Sequence, residues 1–407
     1  MKKNSLLFIF ILIATCSFAQ YKNDNVLYKT VYTQDLCKEF QKQPGYLLLD
    51  VRTPGEYGDT SMMGMNIGRF KGARNIDVGE LGKRIGELEA YKNKPVFVYC
   101  SQSQRSRKAS KMLADSGFTN VININGGVTG IRQLPRAGND CVFDKLASEN
   151  EYTFISSADL CEKLSANTKN IFLLDVRSDS AYMHTSSDAR VNAYGYFRNS
   201  THIPLANLER NLVRVQGNKE IIIIDLFGDD AEKAAVLLKA KNYKNVSVLI
   251  EGVDRLLNTE SMLMECMKTN YVSPVYYRIM SALELKGFTD TARDYLFVDV
   301  RTTEEFTNKF KDYWRNIGHL SGAVNIPVAN IDKLWKTIAD YREKPVILYD
   351  FGSSTIVHDA ANILIKNGFT AVRVLQGGIF NIGWTAANIK GYKSLAKLRV
   401  DVPLERQ

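Results

Sequence analysis

Three strand-length apolar runs end in the same charged pair at intervals of about 125 residues. They are Leu47-Leu48-Leu49-Asp50-Val51-Arg52, Phe172-Leu173-Leu174-Asp175-Val176-Arg177 and Leu296-Phe297-Val298-Asp299-Val300-Arg301. A continuous apolar run with an abrupt charged end is what a strand covered on both faces shows where it leaves a parallel sheet. About fifty residues later a second run recurs: Pro95-Val96-Phe97-Val98-Tyr99, Ile221-Ile222-Ile223-Ile224 and Pro345-Val346-Ile347-Leu348-Tyr349. Each passes through a short loop into a helical pattern. Ala109, Met112 and Leu113 share one helical face with Gly117 beyond it; Ala360, Ile363 and Leu364 repeat this before Gly368. A further strand such as Val121-Ile122-Asn123-Ile124 leads to Gly126-Gly127, matched by Gly377-Gly378.

Thr33, Ser157 and Ser281 read as helix N-caps at equivalent places, and Ser281 with Glu284 forms a capping-box pattern. Alternating strands and helices predict an α/β chain of three tandem domains, each a parallel sheet flanked by helices on both faces. A period this long lets each unit bury its own core, which excludes a solenoid. The expected domains are 21–140, 150–258 and 271–395, with linkers near 135–150 and 257–272.

Residues 1–20 are of another kind. Lys2 and Lys3 precede an apolar run, Leu6 to Ala14, that is too short to cross a bilayer, and Ser17-Phe18-Ala19 offers small residues at signal-peptidase spacing. This reads as a cleaved secretory signal, so the mature protein is expected to be exported, to the periplasm. Cys16 allows lipoprotein anchoring as the weaker alternative, because Thr15 fits a lipoprotein box poorly. No later segment has the length and apolarity of a membrane span.

The formal charge of +9 becomes 9 − 2 = +7 without Lys2 and Lys3. The basic residues are scattered rather than blocked or interleaved with aromatics, which argues against nucleic acid as a partner. Six cysteines become five without Cys16, an odd number that leaves at least one thiol free. No Cys-x-x-Cys or His-x-x-x-His spacing calls for a metal, and nothing calls for a cofactor.

The chemistry concentrates in the loop after the second strand, at the carboxyl edge where parallel sheets bind ligands. In the first copy it reads Cys100-Ser101-Gln102-Ser103-Gln104-Arg105-Ser106 and runs into a helix. A loop wrapped around a cysteine at a helix N-terminus aims backbone N–H dipoles at the sulfur. Those dipoles, with Arg105, favour the nucleophilic thiolate. The four histidines, His184, His202, His319 and His358, all lie in later copies, so the first copy holds no Cys/His dyad.

Together these motifs resemble the rhodanese-like sulfurtransferases, in three copies covering nearly all of the mature chain. Asp50-Val51-Arg52 with Glu56-Tyr57, Gly72-Ala73-Arg74-Asn75-Ile76, Tyr99-Cys100 through Arg105-Ser106, and Gly117-Phe118 with Gly126-Gly127 follow the family's order and spacing. The resemblance implies a catalytic Cys100. Ser101, Gln102, Ser103, Gln104, Arg105 and Ser106 would hold a small anionic sulfur donor such as thiosulfate, with cyanide or a thiol as acceptor. Many single-domain members carry Gly at the place of Ser103, so a restricted loop backbone is expected there. Related phosphatases and arsenate reductases place one more residue between Cys and Arg; the Cys-x4-Arg spacing here favours sulfur transfer. Arg107 is expected to point off the helix.

The other two copies read as inactive. Asp225-Leu226-Phe227-Gly228-Asp229-Asp230 and Asp350-Phe351-Gly352-Ser353-Ser354-Thr355 put Asp in the nucleophile's place, and neither keeps the arginine. A carboxylate cannot carry a persulfide. Structural support, dimerisation, or docking of a protein partner at the disused pocket is the expected role of domains 2 and 3. His358 reads as a surface residue. Asp50, Arg52 and Glu56 read as a structural charge cluster at a strand end, because Asp and Arg recur beside loops that lack the cysteine. Cys37 and Cys161 correspond to Leu285 and read as core. Cys141 and Cys266 also correspond. A disulfide, a resolving role towards Cys100 and two inert free thiols are open for them, the last being favoured. The alternative to an enzyme is a non-catalytic binding or scaffold protein with a vestigial Cys100.

Overall fold

The computed structural model describes residues 27–166, 168–259 and 264–403; the signal peptide expected at 1–20 lies outside them. Each copy forms a five-stranded, all-parallel sheet with helices on both faces. In the first, the order across the sheet is Lys29–Tyr32, Val121–Asn125, Val96–Tyr99, Leu47–Asp50 and Arg74–Asn75. The central strands Leu47–Asp50 and Val96–Tyr99 are buried at every position, as their unbroken apolar runs require. The same order recurs in the other two sheets. Each copy splits its core into two apolar clusters, one per sheet face.

The segments read as linkers carry structure of their own. Leu146–Ala147 pairs antiparallel with Arg69–Phe70, and Tyr271–Val272 with Tyr196–Phe197; at the end of the third copy Arg399–Val400 pairs with His319–Leu320. Each copy therefore closes with an arm folded back on its own body. Two arms are bolted by disulfides, Cys37–Cys141 and Cys161–Cys266, with Cα–Cα distances of 5.9 and 5.6 Å. This overturns the reading of Cys37 and Cys161 as plain core residues and of Cys141 and Cys266 as free thiols. In the third copy Leu285 replaces the first cysteine, and it is buried in one cluster with Leu395 of the closing arm. An apolar contact stands where the other copies have a covalent bond.

Ser281 caps its helix as expected, its Oγ accepting the Glu284 N–H (3.1 Å). Thr33 instead opens a 3-10 turn, and Ser156 rather than Ser157 accepts the Asp159 N–H (3.1 Å).

The copies also touch through polar contacts at the ends of their closing helices. At the end of each closing helix a residue meets another copy near the start of that copy's own closing segment: at a strand end (Asn125), a helix N-cap (Glu251) or the first turn of a helix (Asn381). Gln133 bonds Glu251, Asn258 bonds Asn381 (3.1 Å), and the carbonyl of Asn388 bonds Asn125 (3.0 Å). The first copy thus touches the second, the second the third, and the third the first. A heterologous contact that returns to its start closes a ring.

Candidate active site

The Asp-Val-Arg end of the second strand builds the floor of the site. Arg52 donates through Nε and Nη2 to Asp50 at 3.0 and 2.7 Å, and Nη2 also donates to the carbonyl of Gly68 (2.8 Å). Both side chains are wholly buried. Asn75 Nδ2 donates to the carbonyls of Asp50 and Arg52 (3.1 and 2.9 Å), locking the strand-end turn. The Asp–Arg pair recurs at Asp175–Arg177 and Asp299–Arg301, beside loops that lack the cysteine.

Glu56 does not join that pair. Its carboxylate forms a capping box with Thr53 and receives both terminal nitrogens of Arg105, at 2.6 and 2.7 Å. Burial alone would raise its pKa, but the bonds from Arg105 and Thr53 outweigh it and hold Glu56 below its ordinary value. Arg105 also donates to Ser101 Oγ (3.0 Å), and its partner Glu56 raises its pKa. The arginine beside the cysteine is therefore fixed in place and largely charge-balanced.

Cys100 sits at the end of the Val96–Tyr99 strand, 1% exposed, with its Sγ 3.6 Å from Ser106 Oγ. Ser106 Oγ donates in turn to the carbonyl of Ser103 (3.0 Å). The closing turn lies across the loop: Val128 and Thr129 donate to the carbonyls of Cys100 and Ser101 at 3.0 and 2.9 Å. Gly127 makes this approach possible, because at φ +54° a Cβ there would collide with both carbonyls. Of the expected site residues, Ser101, Ser103, Arg105 and Ser106 gather around Cys100, whereas Gln102 and Gln104 are exposed.

Ser103 does not restrict the loop. Its φ of −163° lies outside the left-handed region that favours Gly. Its hydroxyl does a different job, accepting from Gly126 N (2.8 Å) and facing Asn125 Oδ1 (2.8 Å). Arg107 does not point off the helix either: it is buried, and its Nη2 donates to Asn125 Oδ1 (2.8 Å) and to the carbonyl of Ala387 (3.2 Å). Asn125 went unnoticed in the sequence; the available signal was an amide ending a buried strand directly before two glycines.

The other loops show what replaces the thiol. Asp225 accepts backbone N–H bonds from Gly228, Asp230 and Ala231 at 2.7, 2.9 and 3.1 Å. Burial, working against these three bonds, pushes its pKa up to about 6. Asp350 accepts from Ser354 N (3.0 Å) and from the Ser354 hydroxyl, and burial pushes it up to about 7. In the third copy Glu305 keeps an arginine partner, but from another segment, Arg315. His358 is not on the surface. It is fully buried, bonded through Nδ1 to the Tyr277 hydroxyl (3.0 Å), and burial, then Arg190, lowers its pKa to about 4.

Comparison with known proteins places these features in context. A family model described as Rhodanese-like domain matches residues 33–134, 157–259 and 281–385. YqhL of Bacillus subtilis is 31% identical over 122 residues, which are 30% of this chain and 86% of that protein. The tRNA uridine(34) hydroxylase of Cytophaga hutchinsonii is 31% identical over 144 residues, 33% of this chain and 44% of that protein, so the chain spans under half of that relative. Among solved structures, a thiosulfate sulfurtransferase from Pseudomonas aeruginosa is 16% identical with a TM-score of 0.22, covering 86% of this chain and 66% of that one.

Proposed function

The chain belongs to the family of the rhodanese-like domain, and from that premise we propose that it is an exported sulfurtransferase working through Cys100 alone. Sulfurtransferase-type chemistry is the family-level function. In the specific reaction, the Cys100 thiolate attacks the outer sulfur of a small anionic donor such as thiosulfate. A new S–S bond forms on Cys100, the donor's S–S bond breaks, and sulfite leaves. Cyanide or a thiolate then takes the outer sulfur and returns the Cys100 thiolate.

The observation that carries this reading is the Asp225 loop. Its carboxylate gathers amides three, five and six residues ahead. In the first domain those offsets fall on Ser103, Arg105 and Ser106. These are first-turn amides, which have no intrahelical acceptor. An Asp oxygen lies three bonds from Cα, as does the outer sulfur of a persulfide, whereas a cysteine Sγ lies only two. Asp225 is thus a resident stand-in for a persulfidated cysteine, and it leaves its own cradle filled. Export is supported by Cys37–Cys141 and Cys161–Cys266, since disulfides persist in oxidising compartments.

The binding or scaffold reading draws on the deep burial of Cys100 and the two lost loops. One assay separates the two. Mature protein is given thiosulfate and cyanide, thiocyanate is measured, and intact mass is searched for one added sulfur. Sulfurtransfer predicts both products in the wild type and neither in Cys100→Ala. A wild type that forms neither leaves the scaffold reading in possession, and activity retained by Cys100→Ala refutes the site.

A further inference from the structure

We propose that Asn125 is a positioning residue through which the third domain holds the Cys100 loop in its working shape. The inference rests on the sulfurtransferase reading for its catalytic consequence, but its geometry stands apart from it. Asn125 ends the Val121–Asn125 strand and is buried. On one side its Oδ1 faces the Ser103 hydroxyl and receives Arg107 Nη2, each at 2.8 Å. On the other its Nδ2 donates to the carbonyls of Asn388 (3.0 Å) and Ala387 (3.4 Å).

The two carbonyls belong to the last turn of the Gly378–Asn388 helix of the third domain, where helical carbonyls lack intrahelical donors and the helix dipole is negative. The Arg107 guanidinium also donates to Ala387 O, so the first domain caps a helix of the third with an amide and a cation. The amide's orientation follows from these partners. Turned over, its NH2 would face a guanidinium and its oxygen two carbonyls.

Among the described residues, a linkage through the residue before the paired-glycine position occurs in the domain with the cysteine. Ser353 in the third domain repeats the Ser103 contact by accepting from Gly377 N (2.7 Å). The residue before that glycine, Gln376, turns away from its loop to the Tyr194 hydroxyl (2.6 Å) and Asp254 (2.9 Å) of the second domain. In the second domain Ile250 fills the position and packs into the first domain's core. Of the three residues at this position, only Asn125 joins its own loop to a neighbour among the described residues; the third domain's loop is met instead by Arg190 of the second domain, whose Nη1 donates to the Ser353 carbonyl (3.0 Å). A second contact across the same boundary, Lys390 with Asp35 at 2.8 Å, lies at the surface and is independent of the loop.

A reactive loop held from one side only by its own chain would sample more shapes, and small displacements of a reacting atom cost rate steeply. Three variants test this: Asn125→Ala, Lys390→Glu, and the charge swap Asp35→Lys with Lys390→Glu. Each is measured for kcat and KM with thiosulfate, for the rate of iodoacetamide modification of Cys100 without reductant, and for Tm. Cys100 is the free thiol among the described residues, so alkylation reports on it directly.

Asn125→Ala should lower kcat by about tenfold with KM within about twofold, and shift the alkylation rate by about fivefold or more. Lys390→Glu should move both in the same direction by a smaller factor, and the swap should restore them. Loss of Tm in Asn125→Ala with kcat and alkylation unchanged would reduce Asn125 to a structural residue and overturn the proposal. So would a Lys390→Glu defect that the swap fails to restore. If the wild type transfers no sulfur, the proposed function fails, yet the alkylation arm still decides whether the third domain governs the loop.

Discussion

The loops at Cys100 and Asp225 share a fold, a position and a length, and differ in what occupies the centre. At Asp225 the loop's amides are spent on a carboxylate of the chain itself. At Cys100 the shorter side chain stops at Ser106 Oγ, and the arginine that could help hold an anion is pinned by Glu56. On the function proposed above, such a domain would fall silent less by collapse than by placing a carboxylate of its own where a transient anion would sit. The fold survives because its floor, the Asp–Arg pair, does not depend on the occupant.

The comparison can be pressed hardest through the disulfides, which divide the copies differently. Cys37→Ser with Cys141→Ser should destabilise the first domain by about 2–5 kcal/mol, given a closed loop of this length. Domain-resolved hydrogen exchange should show the loss there while the third domain, which relies on Leu285 and Leu395, stays protected. Equal loss in all three would mean that the ring, not the domain, is the unit of stability.

The occupant itself is tested by pH. Asp350 has its pKa raised from 3.8 to about 7, so the folded state binds a proton that the unfolded chain releases. The stability tied to that proton is full below about pH 4 and is lost as pH rises through 7. Asp350→Asn removes the titration. Its Tm should match the wild type near pH 4 and exceed it by roughly 2–6 °C at pH 8. A constant difference across that range would show that the buried carboxylate does not bear the cost.

The smallest effect concerns Asn123, the third residue of its strand, where the other domains have Val248 and Val374. Asn123 is wholly buried, and neither amide atom has a hydrogen-bond partner among the described residues. Replacing an unsatisfied amide by an apolar side chain of similar shape should stabilise by about 1 kcal/mol. Asn123→Val should therefore raise Tm slightly with sulfur transfer unchanged, whereas a fall in Tm would place a polar partner there.

The repeat made the sheets, the loop and the missing nucleophiles legible, because each is written locally in an apolar run and its charged end. What escaped was carried by contacts distant in sequence. Cys37 and Cys141 are separated by 104 residues, and only the topology shows the arm folding back; their joint recurrence as Cys161 and Cys266 was the clue. Arg107 and His358 look like surface residues of isolated helices and are buried because other segments cover them. The restriction expected at Ser103 rested on a family preference for Gly, which does not fix the φ that this loop adopts: −163°, outside the left-handed region.

The most direct measurement is to load the mature protein with thiosulfate, digest it without reductant and locate added sulfur by mass. A single persulfide on the Cys100 peptide, absent from Cys100→Ala and still present in Asp225→Ala and Asp350→Ala, is the expected result. Sulfur at any other position, or none on Cys100, would contradict the view that one loop of three remains open to an incoming sulfur.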